Sequence, residues 1–509
     1  MLESGFSTHV LAALQPGNLF ACFVGALLGT LIGVLPGLGP AAAMAMVIPL
    51  TLKLGPTAGL IMLAGIYYGS MYGGSTTSIL VNVPGEPASV VTTLDGYAMA
   101  KNGRAGAALA ISAIGSFFAG TVSVIVLQFF APLLARSALA FGPAEFFALT
   151  VLGIAVLSNL TGKTRTRPLL LMMAGLILSM VGVDPIQGLE RFSFGIGAAQ
   201  GGISFIAVTT GLFGVAEVLA ILSRREEEPE VVPVRFRELY PSRDELKRSV
   251  APMGRGSVMG FLIGLLPGPA ATMASFASYA LERGISKRPE TFGKGAIEGV
   301  AGPEAANNAA AGGAMIPLLS LGLPFTPATA VLLGGMLLQG VTPGPFLLKE
   351  RPDVFWGVIG SFYVGNFMLL VLNLPLVGLF ARIVRVSPRY LIPIVLVMCA
   401  VGTYADNNQL FDVWVMLGAG VLGFVMRKYR YEPAPLVIGL VLGPVMERSL
   451  AQSLIISQGE IAALWASPVC KVLWALVLVS ALLPFAIRAG SAVRKAVWGE
   501  KPTIGPGVG

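Results

Sequence analysis

Long apolar runs alternate with short polar turns along the chain, and four runs are broken internally by proline and glycine. The breaks are Leu35-Pro36-Gly37-Leu38-Gly39-Pro40, Asn82-Val83-Pro84-Gly85-Glu86-Pro87, Leu266-Pro267-Gly268 and Gly322-Leu323-Pro324-Phe325-Thr326-Pro327. Few folds accommodate this pattern. Only 12% of the 509 residues are charged and 55% are hydrophobic, whereas a soluble domain carries roughly 25% charged residues. Most of the chain therefore meets no water. A membrane helix takes about 20 apolar residues, so the runs supply roughly 10 to 13 membrane segments. Proline stops a regular helix, and such a stop is tolerated at membrane depth where neighbours satisfy the freed backbone groups. The expected fold is an all-α polytopic membrane protein with broken helices or re-entrant hairpins.

The second half of the sequence repeats the first. Gly29-Thr30-Leu31-Ile32-Gly33-Val34-Leu35-Pro36-Gly37 matches Gly260-Phe261-Leu262-Ile263-Gly264-Leu265-Leu266-Pro267-Gly268. Pro84, Pro87, Ala88 and Ser89 match Pro324, Pro327, Ala328 and Thr329 in spacing. Gly115-Ser116-Phe117-Phe118-Ala119-Gly120 matches Gly360-Ser361-Phe362-Tyr363-Val364-Gly365. Three pairs in the same order are a poor fit to chance.

Loop charges give the relative orientation of the repeats. In the first half Lys163, Arg165 and Arg167 mark a cytoplasmic loop, and the loop at Arg136 falls outside. In the second half Arg382, Arg385 and Arg389 stand where Arg136 stood, and Asp406 replaces the Lys163–Arg167 cluster. The basic excess swaps sides, which by the positive-inside rule indicates inverted-topology repeats. Lys349 and Arg351 fall outside in this scheme, neutralised by Glu350 and Asp353. The expected divisions are an N-terminal repeat (1–222), a cytoplasmic linker (223–250), an inverted C-terminal repeat (251–450), and a final helix with a cytoplasmic tail (451–509).

Several function classes recede. The net charge of +8 lies in short loops, so it reads as a topology signal and not as a nucleic-acid surface. Cys22, Cys399 and Cys470 lie far apart in apolar sequence and show neither metal nor disulfide spacing. No removable signal peptide is expected. His9 is the sole histidine, which leaves an intramembrane enzyme only a carboxylate-based site. A channel is the other alternative.

Broken helices at matching positions of inverted repeats point to a transporter binding site. Half-helix N-termini suit carboxylates, and unwound carbonyls and half-helix C-termini suit a cation such as Na⁺. The candidate substrate and ion residues are Gly37, Gly39, Ser75, Thr76, Thr77, Ser78, Asn82, Pro84, Gly85, Glu86, Gly268, Glu304, Asn307, Asn308, Gly322, Pro324, Thr326 and Pro327. Sodium, if it is the coupling ion, is placed at the same breaks. Adjacent amides at Asn307 and Asn308 are costly in a membrane unless paired. The structural alternative is that hydroxyls and amides bond across helices and small residues allow close packing. Glu86 and Glu304 occupy or flank breaks and would bind a cation, carry a proton or cap a half-helix. Asp95, Lys101 and Arg104 read as a solvated loop, and Tyr67, Tyr68 and Tyr72 as packing or interfacial residues.

The strings Gly73-Gly74-Ser75-Thr76-Thr77-Ser78-Ile79-Leu80, Leu94-Asp95-Gly96-Tyr97 and Gly103-Arg104-Ala105-Gly106-Ala107-Ala108-Leu109 resemble the large subunit of tripartite tricarboxylate transporters, the TctA family. So do Pro303-Glu304-Ala305-Ala306-Asn307-Asn308 and Pro343-Gly344-Pro345. Phe325-Thr326-Pro327 departs from the turn more usual in the family. The resemblance implies a binding-protein-dependent secondary transporter of tri- and dicarboxylates in the bacterial inner membrane. It implies coupling to Na⁺ or H⁺, no other cofactor, a small (TctB-like) membrane subunit and a periplasmic (TctC-like) solute-binding protein. The chain carries no phosphate-binding loop, in keeping with coupling to an ion gradient.

Overall fold

A computed structural model describes residues 13–35, 39–138, 141–160, 166–184, 187–223, 232, 240–376 and 388–482. Among the described residues the one sheet is an antiparallel pair, Gly182–Val183 with Glu190–Arg191. Among the described residues six helices are long and apolar enough to cross a membrane, and six shorter apolar helices accompany them. The chain is an all-α polytopic membrane protein.

All four breaks are helix ends. In the first half α1 (Pro16–Gly33) stops short of Pro36 and α2 (Pro40–Thr51) starts after it; Pro36, Gly37 and Leu38 lie outside the described residues. Helix α3 (Pro56–Val81) ends at Asn82, which is left-handed at φ 59°. Then come α4 (Ala105–Ala138), α5 (Pro143–Leu160), α6 (Thr166–Ser179) and α7 (Phe205–Leu222). In the second half α8 (Arg243–Gly264) stops before Pro267 and α9 (Ala270–Ile285) follows. Helices α10 (Glu298–Gly313) and α11 (Met315–Leu321) lead to Gly322, left-handed at φ 71°, before α12 (Pro327–Leu338). Asn and Gly tolerate this conformation where other residues resist it, so both serve as helix C-caps. Helices α13 (Pro352–Asn373), α14 (Pro388–Asn407), α15 (Leu410–Lys428), α16 (Ala434–Ile456) and α17 (Pro468–Leu482) follow among the described residues.

Helix α8 reaches back into the polar stretch expected to be linker. Ser242 and Glu245 form a reciprocal capping box there: Glu245 N–H donates to Ser242 Oγ (3.2 Å) and Ser242 N–H donates to Glu245 Oε2 (2.8 Å). Such a box satisfies two of the N–H groups a helix start leaves open, which explains a start at Arg243 in sequence rich in charge.

The repeat seen in sequence is also a repeat in packing. On α1, Gly25, Gly29 and Gly33 press on Met62, Ile66 and Ser70 of α3. On α8, Gly256, Gly260 and Gly264 press on Gly302, Ala306 and Ala310 of α10. A Cβ added at any of these six glycines would stand 2.2–2.5 Å from a facing carbonyl oxygen. The steps of four keep the glycines on one helix face, and small residues let membrane helices meet backbone to backbone. The long helices then cross over: α4 packs on α8 and α10, while its counterpart α13 packs on α1 and α3.

The chain divides into two compact units, 1–140 with 171–444, and 141–170 with 445–509. In the second unit Glu145 near the start of α5 accepts from Gly142 N–H (2.8 Å) and Ser467 Oγ (2.5 Å). Trp465 stacks on Trp474 there, and Trp474 Nε1 donates to the Leu464 carbonyl. In the first unit the buried Glu217 of α7 pairs with Arg427 of α15.

Gly260→Ala places its Cβ 2.2 Å from the Ala306 carbonyl oxygen and should destabilise the protein by about 1–3 kcal/mol, the usual cost of overpacking. Gly254→Ala, on the same helix with nothing within 4 Å, should melt at or slightly above wild type because alanine is the better helix former. Thermal unfolding of the detergent-solubilised proteins checks both. Equal melting of the two variants would contradict the close α8–α10 contact.

Candidate functional site

The close packing of α10 carries a carboxylate into the middle of the first unit. Glu304 lies inside α10 and is fully buried. Three hydroxyls from the other repeat converge on it. Ser75 of α3 donates to Oε2 at 2.5 Å, Ser112 of α4 donates to Oε2 at 3.1 Å, and Thr92 donates to Oε1. One helical turn on, Asn308 Nδ2 donates to Ser116 Oγ (2.8 Å), Asn307 Oδ1 (2.6 Å) and the Glu304 carbonyl (3.1 Å). Asn307 reaches the Glu304 carboxylate with its side chain, whereas Asn308 Oδ1 meets no partner. Buried polar atoms are nearly always paired, so Asn308 Oδ1 is an open position in an otherwise satisfied cluster.

Glu86 is the second buried carboxylate. It follows the break after α3 and packs on Gly74, where a Cβ would lie 2.7 Å from Glu86 Cγ. Its Oε1 has no hydrogen-bond partner. Glu86 and Glu304 thus meet α3 at consecutive residues, Gly74 and Ser75. Among the described residues neither carboxylate forms an ion pair with Lys or Arg.

The breaks of each repeat touch. Gly85 sits against Gly33, with room for no Cβ, since one would lie 2.2 Å from the Gly33 oxygen. In the second repeat the Gly268 N–H donates to the Phe325 carbonyl at 2.9 Å. The four half-helix starts differ in one respect. Thr326 caps α12, accepting from Thr329 N–H (3.1 Å), while its own N–H donates to Thr329 Oγ1 (2.9 Å). The turn at Pro87–Ser89 is closed in a related way, with Ser89 Oγ donating to the Glu86 carbonyl (2.9 Å). The starts of α2, at Gly39, and α9, at Pro269, have no side-chain cap.

The other sequence candidates fall as follows. Thr76, Thr77 and Ser78 are buried, but Thr77 and Ser78 bond the Gly74 carbonyl of their own helix at 3.0 Å each. Asn82 is exposed, Pro84 and Pro327 are half-buried, and Gly85, Gly268, Pro324 and Thr326 are buried. Gly322 is the left-handed cap of α11, and Gly37 lies outside the described residues. Glu304 flanks no break: Pro303 is accommodated within α10, and the helix ends later. Capping is therefore not its role.

Asp95 corrects the expectation of a solvated loop. Lys101 and Arg104 are exposed, but Asp95 is fully buried. Its Oδ1 accepts from the N–H groups of Gly293 (2.9 Å), Gly295 (2.8 Å) and Ala296 (2.7 Å), and its Oδ2 from Tyr279 Oη (2.9 Å). Asp95 thereby ties the segment after the second break to the lead-in of α10. Sequence reasoning also missed Thr92, Ser112, Ser116 and Asn366. Asn366 on α13 accepts from Tyr72 Oη (2.8 Å) and donates to the Phe117 carbonyl (2.9 Å) and Thr121 Oγ1 (3.1 Å). The available signals were an amide inside an apolar span and two serines spaced by four on one helix.

The chain matches the tripartite tricarboxylate transporter TctA family over residues 19–438. It belongs to the TctA family. A relative in Agrobacterium vitis, described as an uncharacterized 52.8 kDa protein in the TAR-I ttuC' 3' region, is 48% identical over 486 residues, 95% of this chain and 96% of its own length. A second Agrobacterium vitis protein, described as an uncharacterized protein in the TAR-II ttuC' 3' region, is 46% identical over 224 residues, 44% of this chain and 93% of its own length. No solved structure matches. TctA proteins are transporter subunits and not enzymes, which removes the intramembrane enzyme alternative.

Asp95→Ala strands three buried N–H groups and one hydroxyl. It should cost about 3 kcal/mol or more, since each stranded group costs roughly 1–3 kcal/mol. Asp95→Asn keeps one acceptor oxygen and should cost less. Thermal unfolding checks the order; an unchanged melt for Asp95→Ala would remove Asp95 from the support of α10.

Proposed function

We propose that this chain is the large permease subunit of a binding-protein-dependent secondary transporter that imports small organic anions, tri- and dicarboxylates, with Na⁺ or H⁺. The observation that carries this reading is Glu304, buried without a basic partner among hydroxyls from the other repeat. A buried charge with no counter-charge costs several kcal/mol. A bound cation or a proton on the Glu304 and Glu86 pair relieves that cost and serves as the coupling ion. The uncapped starts of α2 and α9 offer free N–H groups and positive dipole ends to a carboxylate.

The charge swap between the halves and the reciprocal packing of α4 and α13 support inverted repeats. Alternating access then moves the broken-helix elements against the long helices. A periplasmic solute-binding protein delivers the substrate, a small membrane subunit completes the complex, and the assembly resides in the bacterial inner membrane. The binding protein sets much of the selectivity.

Proteoliposomes holding the complete complex, supplied with a panel of di- and tricarboxylates, test the assignment. Asn308→Ala and Glu304→Gln should each lower uptake by about 10- to 100-fold, the equivalent of a lost buried hydrogen bond of roughly 1–3 kcal/mol, at equal protein in the membrane. Wild-type uptake by both variants would sink the site. Uptake driven by a Na⁺ gradient at constant pH separates Na⁺ from H⁺ coupling, and flux that never saturates would favour a channel.

A further inference from the structure

We propose that the cleft between α8 and α9 binds one anionic phospholipid, its headgroup on a basic rim and an acyl chain along an apolar trough. Two cavities run together there and share Arg255. One is apolar, about 550 Å³, walled by Val258, Leu262, Leu266 and Leu281. The first three stand four residues apart along one line of α8 and its end, all largely exposed. The other cavity is polar, about 520 Å³, and takes in Lys247, Lys287 and Arg288.

Charge identifies the occupant. Every acid of the polar cavity is already engaged. Arg255 holds the buried Glu282 through two bonds, 2.8 Å and 2.6 Å, and Arg248 holds Glu298 through two at 2.8 Å while also facing Asp244 at 3.7 Å. Among the described residues Lys247, Lys287 and Arg288 have no carboxylate within ion-pair reach. Three uncommitted cations at the mouth of an apolar trough match a phosphate-bearing headgroup with a hydrocarbon tail. Basic pockets between membrane helices are receptive to such headgroups. The trough's size suits a single hydrocarbon chain: about 550 Å³ is the volume of a small-molecule site. Gly254, which lines the apolar cavity next to Arg255, leaves open space beside it, with nothing within 4 Å of an added Cβ.

The site shares no residue with the Glu304 cluster, and its test needs no transport. The purified full chain in detergent is titrated with phosphatidylglycerol, phosphatidylcholine and glycerol 3-phosphate, with binding read by native mass spectrometry. Phosphatidylglycerol should bind at least about tenfold more tightly than phosphatidylcholine. The triple variant Lys247→Ala, Lys287→Ala, Arg288→Ala should weaken phosphatidylglycerol about 100-fold, from roughly 1 kcal/mol for each basic residue. Replacing Lys247 and Lys287 with Arg should preserve binding, because the charge and not the lysine shape is what the headgroup reads. Equal affinity for the two lipids, or an unchanged triple variant, would overturn the proposal. Saturation by glycerol 3-phosphate alone would make this an anion site without a lipid. Loss of bound lipid when the small membrane subunit joins would make the cleft that subunit's seat.

Discussion

Backbone-to-backbone contact between helices is the constraint on which the rest of the structure depends. Gly25, Gly29 and Gly33 on α1, and Gly256, Gly260 and Gly264 on α8, leave no room for a side chain against α3 and α10. In a membrane the hydrophobic effect does not drive helices together, so shape and polar bonds must. The glycine stripes make the shape. They hold α3 and α10, the two helices that carry Ser75 and Glu304, against rigid neighbours. The polar bonds then cross between repeats, from Ser75, Thr92 and Ser112 to Glu304 and from Asn308 to Ser116. A shift of one stripe would misplace the hydroxyls that satisfy the carboxylate.

Much of the fold was legible in the sequence because its causes are local. Proline disfavours helical geometry in the residue before it, and α1, α3, α8 and α11 each end three residues before Pro36, Pro84, Pro267 and Pro324, whereas Pro132, Pro252, Pro303 and Pro444 are accommodated inside helices. The repeat was legible for a related reason: Gly29 and Gly33 recur as Gly260 and Gly264 because the same close contact recurs. The start of α8 at Arg243 was missed because charge masked a capping box that needs only Ser242 and Glu245. Cross-helix partners were not legible. Whether a serine bonds its own helix, as Ser78 does, or a distant carboxylate, as Ser75 does, depends on which face meets α10. The polar turn around Asp95 looked solvated because its partners, Gly293 to Ala296, lie in the other repeat.

Asp95 and Glu304 show how differently two buried carboxylates behave. Asp95 accepts three backbone N–H bonds and a tyrosine hydroxyl. Such a full set of donors stabilises a carboxylate in place, and it fixes structure. Glu304 also accepts several bonds, but from hydroxyls, each of which can equally accept from a proton or turn an oxygen toward a cation. Beside it, Asn308 Oδ1 and Glu86 Oε1 remain unpaired. The first carboxylate is closed to ligands, whereas the second is surrounded by unspent capacity. Burial alone does not separate these cases; the type of donor and the neighbouring orphans do.

The same logic distinguishes the four breaks, which look alike in sequence. Thr326 and Ser89 spend their hydroxyls closing the turns they stand in. The starts of α2 and α9 have no such side chain; Pro40 and Pro269 carry no N–H and Ala270 N–H bonds the Gly268 carbonyl, so the N–H groups a helix start leaves without intrahelical partners are here chiefly those of Ala41 and Ala42, and of Ala271 and Thr272. Water is scarce at membrane depth, so those groups must find another acceptor or bear the cost of isolation. Pseudo-symmetry therefore stops at chemistry: within each repeat one break is closed by its own hydroxyl and the other carries no such side chain. What the repeats do share is the meeting of their tips, Gly85 on Gly33 and Gly268 on Phe325, which follows from backbone shape and not from side-chain chemistry.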